Sequence, residues 1–458
     1  MWSGYVRHMI KRQSYASHAY ATLVLGLPLV GSHLAQMALH VTDTVLLGWY
    51  GVNELAAVVL AASMFFAVFI LGAGFAQAVM PMVASALGRG DEVQVRRDTR
   101  MGLWLSIGFG LMTYPLFWWS EALLLGLGQS PEVAALGQDF LRIGGLGMIP
   151  ALLVMALKSY LAALERTQVV LWTTLAAVGV NLVLAYALIF GHWGAPEMGI
   201  KGAAVASLAV QVLTLVILAV YAGWLPELRR FHLYQRFWRP DWHAMGQVFR
   251  LGWPIGITGL AETGMFQASA LMMGWIGTEH LAAHGITMEV ASLSFMVHLG
   301  LSNAATVRAG RAEGAGNAAA LRDGAKTAIA LSFGFGVVMV TLFLTLPEQI
   351  IALFLDATNP DAAQIIRLGA QLLAVAALFQ LADAMQVMAL GLLRGIRDTR
   401  VPMIAAAVSY WLIGIPCSYA LAFPLGLGGT GLWLGLVVGL LAAAGSMMWR
   451  FWHLAPKA

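Results

Sequence analysis

Long apolar runs, each broken by a short polar stretch, recur along the whole chain. Twelve such segments can be drawn, at approximately 20–46, 55–86, 98–120, 134–160, 168–190, 201–224, 247–274, 281–306, 325–346, 364–393, 401–423 and 430–452. A helix crosses the hydrocarbon core of a bilayer with about 20 apolar residues, so each run predicts one transmembrane helix. A membrane β-barrel would instead show alternation over about ten residues per strand, and these runs are too long and continuous for that. The expected fold is all-α and integral to the membrane.

Polar residues inside the runs keep helical spacing. His33, Gln36, His40 and Asp43 step by three, four and three along the first segment. Thr258, Glu262 and Ser269 share a face of the seventh, and Gln380, Asp383 and Gln386 step by three along the tenth. Stripes of this kind line a bundle interior or a wet cavity, because lipid does not tolerate them.

Composition agrees with a lipid solvent. Only 10% of the residues are charged and the mean hydropathy is +0.78, against about a quarter charged in a soluble chain. Almost nothing remains for a separate soluble domain. Net charge alone, +4, says little until it is mapped. With the N-terminus placed in the cytoplasm, 23 of the 26 Lys and Arg fall in inside segments, and only Arg142, Lys201 and Arg367 fall outside. Short loops retain positive charge on the cytoplasmic side, so both termini are expected on the cytoplasmic side of a bacterial inner membrane. Arg7, Lys11 and Arg12 precede a long first run with no small-residue cleavage site, which reads as a retained helix. The basic residues form no continuous stripe, which argues against nucleic acid as a partner. Single Cys417 forms no intramolecular disulfide, and no Cys/His spacing suggests a metal centre.

The chain also repeats itself. At an offset of 226 residues, "LGLP" at 25–28 falls on "LGWP" at 251–254, Gly48-Trp49 on Gly274-Trp275, and "LAA" at 55–57 on "LAA" at 281–283. Gly88, Gly90, Ser106, Gly108 and Gly110 find Gly314, Gly316, Ser332, Gly334 and Gly336 at the same offset. With small gaps, "ERTQV" near 165 meets "IRDTRV" near 396, and "GIKGAA" near 199 meets "GGTGLW" near 428. Six spans per repeat return the chain to its starting side, so the halves are parallel repeats about an axis along the membrane normal. The expected lobes are 1–224 and 247–458, joined by a basic cytoplasmic linker at 225–246. Secondary transporters place their substrate between such lobes.

Four acids lie well inside spans: Asp43, Glu262, Glu289 and Asp383. A carboxylate at mid-membrane costs at least ~2.5–3.5 kcal/mol, and uptake of a proton or a metal cation relieves that cost. Ion coupling needs this chemistry. In the repeat, Glu262 corresponds to Gln36 and Asp43 to Ser269, so the two halves hold their acids at different levels. Glu262 and Asp383 belong to one half and are expected to hold one cation jointly, a Na⁺ ion if coupling is to sodium. Gln36, His40, Thr258, Ser269 and Gln380 are the expected cavity-lining neighbours. Glu289 lies on the opposite helix face from Thr287 and Ser294 and is a further coupling candidate.

"HVTDTVLLGWYG" at 40–51, "GAPEMGIKGAAVAS" at 194–207, "EHLAAHGITMEVASLSFM" at 279–296, "ATVRAGRAEG" at 305–314 and "DAMQVMALGLLRGIRDTRVPM" at 383–403 together resemble the multidrug and toxic compound extrusion (MATE) family in its NorM-type branch. The resemblance covers nearly the whole chain. It implies two six-helix lobes that expel lipophilic cationic drugs in exchange for H⁺ or Na⁺, by alternating access, as a monomer among membrane lipids. By motif, Glu262 and Asp383 resemble the family's C-lobe cation site, Asp43 its N-lobe acid and Asn181 its N-lobe asparagine. Phe379 stands where some sodium-coupled members carry tyrosine, Ala185 where relatives carry Asp or Asn, and Glu289 where Asn or Gln is expected.

Other classes fit less well. No GxxxxGK[ST] loop is present, so ATP is not expected as a partner. The eleven His form no HExxH and no nucleophile–base cluster is visible, so an enzyme is not expected, and no cofactor beyond the coupling ion. The alternative reading, a flippase for a lipid-linked precursor or a carrier of another organic solute, would place basic residues along the cleft, whereas here Arg and Lys largely avoid the spans.

Overall fold

The computed structural model describes residues 14–355 and 361–456. Arg7, Lys11, Arg12 and Lys457, counted among the inside charges, lie outside the described residues. Among the described residues every regular element is helical. Twelve long helices match the twelve expected segments in order: α1 (Tyr15–Tyr50), α2 (Asn53–Arg89), α3 (Glu92–Trp118), α4 (Pro131–Ala163), α5 (Thr167–Phe190), α6 (Ile200–Trp224), α7 (Trp242–Ile276), α8 (Thr278–Gly314), α9 (Ala318–Thr345), α10 (Ala362–Gly395), α11 (Arg400–Ala422) and α12 (Gly428–Leu454). Eleven are long and apolar enough to cross a membrane. The remaining one, α7, has the length, 35 residues, but Glu262, Gln267 and its hydroxyl groups make it less apolar.

The duplication governs the turns. Gly90, at φ +73°, closes α2, and the Asp91 side chain accepts from the Gln94 N–H at 2.9 Å to cap α3. At the same offset Gly316 (φ +64°) precedes Asn317, whose side chain accepts from the Ala320 N–H at 2.9 Å and caps α9. Such caps satisfy N–H groups that a helix start leaves unpaired. The gapped matches hold as well: Glu165 (φ 61°) and Arg397 (φ 60°) turn the chain after α4 and after α10, and Gly199 (φ 54°) and Gly428 (φ 58°) stand at the starts of α6 and α12.

Packing divides the chain into two compact units, and the division differs from the expected lobes. One unit holds Gly31–Ile257; the other holds the chain up to Val30 and from Thr258 onward. Both cuts fall inside a helix, just after Pro28 in α1 and just after Pro254 in α7. The reason is close approach between small residues. A Cβ on Gly300 of α8 would lie 2.7 Å from the Val30 nitrogen, and one on Gly26 would lie 3.2 Å from Leu301 Cδ2. In the other unit a Cβ on Gly252 would lie 2.7 Å from Phe75 Cα, and one on Gly74 would lie 2.3 Å from the Gly252 oxygen. Gly26 and Gly252 are repeat mates, as are Gly74 and Gly300. Bare glycine surfaces let helices meet backbone to backbone, which is how membrane helices gain packing energy without a hydrophobic drive. Polar contacts add to the first seam: Tyr15 donates to Asp323 Oδ1 at 3.3 Å, and Arg308 Nη2 lies 2.6 Å from His18 Nδ1. In the second, Phe75 stacks on Phe249 with ring centroids 5.4 Å apart. The opening halves of α1 and α7 are thus exchanged between the sequence repeats, which a cut at the linker misses.

Candidate cation-coupling site

In the unit that begins at Thr258, the inward stripe of α10 carries Gln380, Asp383 and Gln386, all buried. Asp383 and Glu262 of α7 lie within electrostatic reach of each other. Neither is neutralised by close hydrogen bonding: Glu262 Oε1 and Asp383 Oδ1 are buried with no hydrogen-bond partner, as are the side-chain oxygens of Gln380 and Gln386. Four acceptor oxygens without donors constitute an anomaly, because buried polar atoms are normally paired. Oxygen donors of this kind suit a hard cation such as Na⁺, and a carboxyl pair also suits a proton. Among the described residues no group of three or more His, Cys, Asp or Glu is placed to hold a metal ion. Any sodium ion would therefore rest on Glu262 and Asp383 together with neutral oxygens.

Three residues that the linear pattern does not reveal stand beside this site. The middle of α11 is a seven-residue π-helix, Val408–Gly414, a wider winding that often marks functional positions. It presents Tyr410, fully buried, whose hydroxyl accepts from Gln386 Nε2 at 2.6 Å. Its neighbour Trp411 donates to the Ala261 carbonyl at 3.1 Å, one residue before Glu262, and packs over Gly264. Arg394, near the end of α10, also lies within the field of Glu262. In sequence Arg394 stands far from Glu262, and no period or motif links them.

An aromatic wall closes one side. Phe379 is buried and meets the edge of Trp433 at 5.1 Å and the ring of Phe266 at 6.1 Å. Trp433 in turn donates to His284 Nδ1 at 3.1 Å. The ring at position 379 is thus held among other rings and contributes no oxygen. Thr258 is buried on the α7 face, while Ser269 is turned back on its own helix, donating to the Phe266 carbonyl at 2.7 Å. Glu289 is half-buried.

The other unit holds a different arrangement. Asp43 Oδ1 accepts from Asn181 Nδ2 at 2.6 Å, and its Oδ2 accepts from the Ser207 hydroxyl at 3.2 Å. Asn181 is fully buried, and its own Oδ1 has no partner. Ala185, one turn on, is buried in an apolar cluster with Leu46 and Leu47. Gln36 is half-buried and His40 exposed. Ser207 was not singled out by sequence spacing, although it closes the "GIKGAAVAS" motif.

Comparison with known proteins decides the family. The MatE family model matches residues 28–187 and 254–420, two blocks that mirror the repeat. The chain belongs to the MATE family. This MATE chain is 47% identical over 444 residues to a probable multidrug resistance protein NorM of Rhizobium meliloti (strain 1021), covering 97% of this chain and 95% of the relative. It is 45% identical over 438 residues to one of Agrobacterium fabrum (strain C58 / ATCC 33970), covering 96% and 94%. Among solved structures, an outward-facing multidrug resistance MATE family transporter of the MOP superfamily superposes with a TM-score of 0.84 at 21% identity, over 96% of this chain and 97% of that one. A MATE in complex with MaL6 superposes at 0.86 and 21% identity, over 95% and 97%. This MATE chain is accordingly a NorM-type, multi-pass membrane transporter and not an enzyme.

Proposed function

We propose that this transporter exports lipophilic cationic drugs and toxic compounds, exchanging them for a proton or Na⁺ bound at Glu262 and Asp383. Multidrug export follows the names of its NorM relatives. The coupling role rests on one observation: two interacting carboxylates, each with a buried oxygen that no donor reaches. Such a pair is unstable as two bare anions, and the binding of one positive ion relieves it. Of the two ions, Phe379 favours the proton, because its ring adds no oxygen to those of the carboxyl pair, Gln380 and Gln386. In the cycle, the site takes up its ion from outside while drug leaves, and the loaded site returns to release the ion inside. The ion drives this only through its different affinity for the two states.

Efflux of a fluorescent cation from inverted vesicles, under separately imposed Na⁺ and proton gradients, tests the reading. Driven transport under the proton gradient alone is the expected result. Transport under neither gradient defeats the antiport reading, and transport under sodium alone reverses the choice of ion.

A further inference from the structure

A cluster of arginines away from the coupling site remains unexplained by transport. Where α3 begins and the linker crosses to α7, a cavity of about 580 Å³ is lined by five guanidinium groups and a single carboxylate, Asp241. Arg97 engages that carboxylate at 2.5 Å. Arg96, Arg100, Arg236 and Arg239 face the cavity with no carboxylate of their own in its wall.

The site is built. Arg100 is buried, 8% exposed, and its Nη1 donates to the carbonyls of Gln235 and Arg236, each at 3.0 Å. Its Nε has no partner. Trp104 fixes the same loop by donating to the Phe237 carbonyl at 2.8 Å. Held this way, Arg236 takes a left-handed backbone, φ 54°, a conformation that costs a non-glycine L-residue energy.

Exposed tryptophans stand beside the arginines: Trp242 lines the cavity and Trp238 lies between Arg236 and Arg239 in the chain, 74% and 75% exposed. Indole rings at helix ends mark the headgroup level of a bilayer. Positive charge at that level selects anionic lipid. The repeat supplies an internal comparison. The mates of Arg96, Arg97 and Arg100 are Arg322, Asp323 and Lys326. Arg322 donates to the carbonyls of Ala455 and Pro456 at 3.4 Å, so holding a following segment by its backbone is common to both halves. The groove beside Lys326 is otherwise lined by Ile329, Phe333, Met448 and Trp452 among its apolar walls. That groove has no arginine in its wall.

We infer that the Arg96–Arg100–Arg236–Arg239 cavity is a binding site for the phosphate headgroup of an anionic phospholipid. The neighbouring tryptophans favour a lipid over a free phosphate, which would not need an aromatic rim.

Native mass spectrometry of the full-length protein, titrated with phosphatidylglycerol and with phosphatidylcholine of the same acyl chains, tests this. Phosphatidylglycerol binds at least ~10-fold more tightly, and the double variant Arg236→Asn, Arg239→Gln weakens it by about 30-fold without affecting phosphatidylcholine. Asparagine at 236 tolerates the left-handed backbone. Lys326→Gln changes neither lipid, and excess inorganic phosphate displaces neither. Equal affinity for the two lipids, an unaffected double variant, or displacement by inorganic phosphate overturns the assignment. Should the double variant melt early, Arg96→Gln decides alone: a loss of about 5-fold for phosphatidylglycerol supports the site, and no loss overturns it.

Discussion

Asp43 and the Glu262–Asp383 pair are all carboxylates set in apolar helices of one duplicated chain, but their surroundings are opposite. Asp43 receives a hydrogen bond on each oxygen, from Asn181 and Ser207. Glu262 and Asp383 each keep a buried oxygen that nothing donates to, with a second negative group nearby. The first arrangement is satisfied by the protein; the second keeps oxygens that the protein leaves unsatisfied. The repeat positions underline the divergence. Glu262 has Gln36 as its mate, and Asp43 has Ser269, whose hydroxyl is spent on its own helix. Duplication preserved the turns and helix seams while each half took its own chemistry.

Three substitutions bear on this contrast, in falling order of effect. Glu262→Gln and Asp383→Asn each reduce gradient-driven efflux by about 100-fold, near the upper end of measured site coupling, yet leave thermal stability unchanged or slightly raised, because an unpaired buried acid is removed. Vesicle efflux and melting curves on the same preparations check both parts; intact transport in both variants would put the ion elsewhere. Asp43→Ala acts on stability, costing about 1–3 kcal/mol because Asn181 and Ser207 lose their acceptor. A denaturation series reads this, and an unchanged midpoint would break the contrast.

The smallest effect belongs to a carboxylate at the water-exposed end. The hydrogen bond from Arg97, with burial opposing it, holds the Asp241 carboxyl below its ordinary range. A depressed acid contributes stability above its unfolded value and loses it as pH falls through the folded one. Stability from this pair is therefore complete at neutral pH and fades below the usual carboxylate range. Because the Arg97 side chain is 37% exposed, solvent screening limits Asp241→Asn to about 1 kcal/mol or less at pH 7. Melting temperatures of the two proteins converge in acid.

Much of this was legible in the linear pattern, for physical reasons. Apolar run length specified all twelve helices, since hydrocarbon thickness sets a minimum span. The repeat was visible because turns and close crossings demand glycine or Asx at fixed places, such as Gly90-Asp91 and Gly316-Asn317. Isolated acids in α1, α7 and α10 stood out against oil. Tyr410, Arg394 and Ser207 did not, since their roles arise from helices brought together in space. The π-winding of α11 leaves no periodic mark in "VSYWLIG". Nor did sequence disclose the exchange of α1 and α7, because a span's composition does not say which neighbour it joins.

That exchange bears on biosynthesis. The opening half of α1 finds its seat at Gly300 only after about 270 further residues have been made, on the order of tens of seconds at ordinary translation rates. Until then its glycine-faced surface sits in lipid without its mate. Insertion of the first six helices and completion of their tertiary structure are consequently separate events, and a ribosome halted at the linker would leave behind a half that is threaded but not finished.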